Sequence, residues 1–234
     1  MEEMRAAAAT ALNMVLGFDA GLAEIVLLSL QVSLTAVALA TLIGFPLGAA
    51  IAMTRFPGRR FLMILMSALM GLPPVVVGLT VYLLLSRSGP LGEFGLLFRP
   101  TAMVIAQCIL VTPIIAALSR QVFRDLWEEY QEQLRSLGAS RIQALPTLLW
   151  EGRYRFLSVV LAGFGRAVAE VGAVLIVGGN IAGETRVMTT TIVLETARGD
   201  LALALAIGFV LIFIVLIINA AVYFTKDASE PFAD

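Results

Sequence analysis

Four stretches of this chain, 25–54, 61–86, 100–119 and 201–225, carry no charged residue. Each matches or exceeds the roughly 20 residues that cross a bilayer as helix. A fifth run, 156–183, is interrupted only by Arg166 and Glu170. A soluble domain cannot accommodate such runs. The composition agrees, because 59% of the 234 residues are apolar and 14% charged, against roughly 25% charged in soluble domains. The predicted fold is an all-α integral membrane protein with five core spans near 24–54, 61–86, 100–120, 155–180 and 201–225.

Upstream, Glu2 and Glu3 precede an apolar stretch of about 13 residues, which lacks the basic start of a cleaved signal peptide. The segment 1–20 reads as an interfacial helix, with a short extra span as the alternative; Gly17, Asp19 and Gly21 break it from the first span. Residues 21–226 then form one membrane domain and 227–234 a tail. The chain has no histidine and one cysteine, Cys108 inside a span, so histidine catalysis, histidine-ligated metal and disulfide frameworks are excluded.

Positive charge sets an orientation. With five spans, one side holds Arg55, Arg59, Arg60, Arg120, Arg124, Arg135, Arg141, Arg153, Arg155 and Lys226, and the other holds Arg5, Arg87, Arg99, Arg186 and Arg198. The richer side is cytoplasmic by the positive-inside bias, which puts the N-terminus outside and the C-terminus inside. Small residues at Gly44 and Gly48, and at Gly165, Ala169 and Ala173, have the spacing that lets membrane helices approach closely.

A polar island at about 124–151 interrupts this apolar pattern on the cytoplasmic side. Trp127, Tyr130, Leu134 and Leu137 fall on one helical stripe, with Asp125, Glu128, Glu129, Glu132 and Arg135 on the other faces. Gly138 can end that helix in the left-handed conformation. Ser140 and Gln143 then have the spacing of a capping box that starts a second helix, which Pro146 ends or kinks. The island is therefore a helix-turn-helix, either a merely solvated loop or a stiff elbow able to transmit a partner's movement.

The stretch from Glu132 through Leu134, Leu137, Gly138 and Ala139 to Ser140 resembles the EAA loop of ATP-binding cassette importer permeases: Glu132 and Gly138 match at the family spacing, and Gln133 and Leu134 replace the two alanines. The sequence Phe164-Gly165-Arg166-Ala167-Val168-Ala169-Glu170-Val171-Gly172-Ala173, with Gly179-Asn180-Ile181 and Thr185-Arg186, is similar to the signature of molybdate, tungstate and sulfate permeases. Residues 187–196 look most like tungstate permeases. The resemblance implies a type I importer transmembrane domain, paired with a second copy of itself, two cytoplasmic ATP-binding subunits and an extracytoplasmic oxyanion-binding protein. It implies that the loop is the coupling helix docking on the ATPase, that ATP and Mg are bound by that partner, and that outer-loop residues around Asn180, Thr185 and Arg186 receive the binding protein. The chain has no G-x-x-x-x-G-K-[ST] loop and so is not the motor.

A charge in mid-bilayer costs about 2.5–3.5 kcal/mol or more, so Arg166 and Glu170 need partners. Four apart on one helix, they can pair with each other and lock the bundle; the other reading makes Arg166 a transient oxyanion site. An ion-gradient-driven secondary transporter, the rival class, would show broken helices with ionisable residues in corresponding halves, and the intramembrane charges here lie in one run.

Overall fold

The computed structural model describes residues 20–227, with side chains to Ala221, and the isolated positions Arg5, Ala9 and Gly17. The expected interfacial helix at 1–20 and the tail beyond Asp227 therefore lie outside the described residues. Nine α-helices occur among the described residues: α1 (Ala20–Met53), α2 (Arg59–Met70), α3 (Pro74–Leu85), α4 (Pro100–Ser136), α5 (Arg141–Glu151), α6 (Arg153–Val168), α7 (Gly172–Gly178), α8 (Met188–Arg198) and α9 (Leu201–Asp227). Three of them, α1, α4 and α9, are long and apolar enough to cross a membrane, and the bent pairs α2/α3 and α6/α7 make five if each pair is one span.

Both breaks correct the expectation of continuous helices. The run 61–86 breaks at Gly71, Leu72 and Pro73, and Pro74 becomes the first residue of α3, where its missing N–H costs nothing. The run 156–183 breaks after Val168 for a reason that involves Glu170, given below. Conversely, the polar island is continuous with a span, since α4 runs 37 residues from Pro100 to Ser136, roughly 55 Å of helix.

The described residues divide into two compact units, one of residues 20–34, 74–107 and 168–227, the other of 35–73 and 108–167. In the first, α3 packs on α7 and α8 on α9. Gly78 lies so close to Ala173 that an added Cβ would sit 2.7 Å from Ala173 Cα. Leu22, Met188, Ala206, Ile207 and Val210 form its apolar core. Ser29, Ser33, Gln107, Glu170, Thr189 and Glu195 are also buried in this unit.

In the second unit α1 meets α4 backbone to backbone. Ser119 Oγ donates to Gly44 O at 3.3 Å, and a Cβ on Gly44 would stand 2.8 Å from Ile115 Cγ2. Phe45, Phe123 and Phe156 join α1, α4 and α6, with ring centroids 4.5 to 6.4 Å apart. Of the glycines in α6, Gly163 makes the close approach, 2.8 Å from Ile115 Cδ1 to an added Cβ, whereas Gly165 faces nothing within 4 Å. The small-residue spacing thus identified the right face of α1 and the wrong glycine of α6.

Candidate coupling elbow and intramembrane polar groups

The elbow begins where α4 stops. Gly138 has φ +75°, Gly138 N–H donates to Arg135 O at 2.9 Å and Ala139 N–H to Leu134 O at 2.9 Å. These two bonds are the Schellman pattern that satisfies the last carbonyls of a helix. Two residues later Ser140 opens α5 with a reciprocal box: Gln143 N–H donates to Ser140 Oγ at 3.4 Å and Ser140 N–H to Gln143 Oε1 at 2.9 Å. The turn between the helices is therefore fixed by hydrogen bonds on both sides. Pro146 does not end the second helix, which continues to Glu151.

The predicted apolar stripe divides. Trp127 is buried, Tyr130 and Leu134 are half-buried, and Leu137 is 83% exposed. On α5, Ala144 and Leu148 are fully buried while Ile142 is 79% and Trp150 68% exposed. Buried anchors hold the elbow, exposed Leu137 and Ile142 flank its turn, and exposed Trp150 lies at the other end of α5. Arg155 braces its base through a 2.9 Å ion pair with Asp125, and Gly152 permits close contact with Leu126. Glu132 and Ser140 are exposed, and Ala139 is half-buried.

Arg166 and Glu170 do not share a helix. Arg166 lies in the last turn of α6, where positive charge complements the carbonyl end, and Glu170 lies beyond it. Glu170 is 4% exposed, and its Oε1 accepts from Ala173 N–H at 3.0 Å, in the first turn of α7. Its backbone oxygen accepts from Thr189 Oγ1 at 3.0 Å. The carboxylate thus starts a new helix, and this ends the run that the sequence shows as one span. Beside it Ser29, Ser33, Gln107 and Thr189 line a cavity of about 10 Å³, close to what a single water needs. Glu170→Gln keeps an acceptor oxygen for Ala173 N–H, so it is expected to retain thermal stability that Glu170→Ala loses, about 1 kcal/mol for a lost cap. Equal losses in the two variants, measured by thermal unfolding in detergent, would assign the role to charge instead.

In the loop 179–187, Thr185 is completely buried and its hydroxyl donates to Gly178 O while accepting from Ile181 N–H. Arg186 donates to Asn180 O at 3.4 Å. Thr185 therefore shapes the loop from inside, and the surface it offers is Ile181, Ala182, Gly183 and Glu184, all exposed. The sequence signature marked the internal fasteners of this loop.

The sequence profile of the family described as binding-protein-dependent transport system inner membrane component matches residues 44–233. The chain belongs to that family. This permease is similar to the tungstate uptake system permease protein TupB of Peptoclostridium acidaminophilum, at 39% identity over 93% of this chain and 95% of the relative. It is 40% identical to TupB of Campylobacter jejuni over 70% of this chain and 69% of that one. With the sulfate transport system permease protein CysT of Salmonella typhimurium it shares 32% over 68% and 60%. The permease is a multi-pass membrane transport component and not an enzyme, and permeases of its family work with an ATP-binding subunit and a binding protein.

Proposed function

We propose that this permease carries tungstate into the cytoplasm, as a homodimer with two ATP-binding subunits that bind ATP and Mg, supplied by an extracytoplasmic oxyanion-binding protein. The elbow carries this reading. Two helix ends locked around Gly138 make a stiff lever, and Leu137 and Ile142, on either side of the turn, give its tip an apolar surface suited to a groove on the ATPase. Glu132, Leu134, Ala139 and Ser140 complete that contact or hold its shape.

The orientation puts the N-terminus outside and the elbow in the cytoplasm, with each bent pair counted as one span, giving five. The binding protein docks on the exposed turn Ile181–Glu184 and its neighbours Asn180 and Arg186. Glu170 serves the start of α7, where its carboxylate accepts from Ala173 N–H, and Arg166 the carbonyl end of α6, rather than offering a standing site for the dianion. Tungstate is favoured over sulfate by the higher identity to two permeases named for tungstate uptake.

Tungstate and molybdate share charge and shape, and spans lined by Val, Leu, Ile and Ala have few donors with which to separate them. Selection therefore falls to the binding protein. In liposomes with the binding protein and ATP, the complex is expected to accumulate tungstate at lower concentrations than molybdate. Exchanging the binding protein for a molybdate-selective one that docks should reverse the order. Preference that stays with the permease would place a selective site in the membrane and overturn this division of labour.

A further inference from the structure

The end of α1, the start of α2, the last turns of α4 and the start of α5 line a cavity of about 720 Å³. Its wall carries Arg55, Arg59, Arg120, Arg124, Arg135 and Arg141, with Glu128 as the single carboxylate among the described residues. Six guanidinium charges thus face one negative charge in a concave space. A positive surface on the cytoplasmic side is expected of any membrane protein. Convergence is not: these arginines come from four segments, and Arg153 and Arg155, on the same side, are outside the cavity and engaged with Trp150, Tyr154 and Asp125.

The partners within the cavity leave most of the charge uncompensated. Arg124 takes Glu128 at 2.8 Å. Arg120 reaches Met63 Sδ at 3.8 Å, a weak acceptor. Arg135 lies 5.6 Å over the Trp127 ring. Arg59 Nε is enclosed and has no hydrogen-bond partner. Guanidinium forks match tetrahedral oxyanions in geometry as well as charge, and a cleft lined by one sign of charge concentrates such ions.

We propose that this cavity is a binding site for a tetrahedral oxyanion, either the phosphate of an anionic phospholipid or a free oxyanion of the cytoplasm. Arg135 and Arg141 stand on the two flanks of Gly138, so an anion held among them joins the α1–α2 junction to the elbow. Occupancy then sets the elbow's stiffness. The site is separate from the import reading, because binding here requires neither transport nor tungstate.

Trp127 lines the cavity and the chain has two tryptophans, so Trp150→Phe leaves a single reporter. The full-length permease in this background goes into phosphatidylcholine nanodiscs titrated with inorganic phosphate, and into nanodiscs with rising phosphatidylglycerol. The expected result is a saturable change in Trp127 emission in at least one series, with the midpoint moved at least tenfold by Arg59→Gln and by Arg120→Gln. Arg155→Gln should leave it unmoved. A phosphate response identifies the soluble ion and a phosphatidylglycerol response the lipid. No saturable response in either series would overturn the proposal. So would a response that Arg155→Gln weakens as much as the cavity variants do, because diffuse surface charge would then explain it. Two cavity variants are used so that misfolding of one leaves the other decisive.

Discussion

Gly48→Val is expected to abolish recovery of monodisperse permease, while Gly165→Ala leaves it at the wild-type level. A Cβ on Gly48 meets Ser119 Oγ, Arg120 N at 2.8 Å and Ala116 O at 3.0 Å. Two of these three neighbours are backbone atoms of α4, which no rotamer change can move aside. To admit a branched side chain, α1 and α4 must part. That separation breaks the Ser119 to Gly44 hydrogen bond and loosens the Phe45, Phe123 and Phe156 cluster. Overpacking in an adaptable core costs about 1–3 kcal/mol, and an unyielding backbone contact belongs above that range. Gly165 has no atom within 4 Å of an added Cβ, so Ala there adds helix propensity and no clash. Size-exclusion profiles after detergent extraction give the comparison. Normal recovery of the Gly48 variant would show that the two helices can separate without loss of fold.

The contrast between these two glycines marks what was legible in the sequence. The long apolar helices, the elbow and its caps follow from charge-free runs, Gly138, Ser140 and Gln143, because each depends on residues close in sequence. Helix breaks were less legible. Proline at 73 and 74 announced one only in retrospect, since the apolar pattern continues across it. At Glu170 the signal was misleading about helix continuity, because the spacing from Arg166 suits one unbroken helix, yet α6 ends at Val168 and the carboxylate accepts from Ala173 N–H at the start of α7. Whether a carboxylate sits within a helix or caps the next one is decided by its surroundings in space. Thr185 shows the same limit, since only the fold reveals that its hydroxyl is used up inside its own loop. The arginine cavity was equally hidden: the sequence counted its arginines for orientation, and only folding gathered six of them around one space.

Gly138→Val is expected to lower coupled transport at least tenfold while leaving the membrane part folded. No atom lies within 4 Å of a Cβ at this position, so sterics with neighbours play no part. The effect is conformational. Gly138 sits at φ +75°, where an L side chain costs about 1–2 kcal/mol and a β-branched one is a genuine outlier. Relief comes only by changing the turn, which sacrifices the Ala139 to Leu134 and Gly138 to Arg135 bonds and redirects α5. Leu137 and Ile142 flank the turn, so a redirected α5 displaces the exposed apolar tip from the contact proposed for it on the ATPase. Asn tolerates the left-handed region, and Gly138→Asn should therefore keep most of the transport that Val loses. Two measurements separate coupling from folding: thermal unfolding of the permease, and ATP hydrolysis alongside substrate uptake in the reconstituted complex. Hydrolysis that continues without uptake, or loss of the ATPase on purification, is the expected result for Val. Wild-type uptake with a full complement of ATPase would remove the elbow from its assigned role.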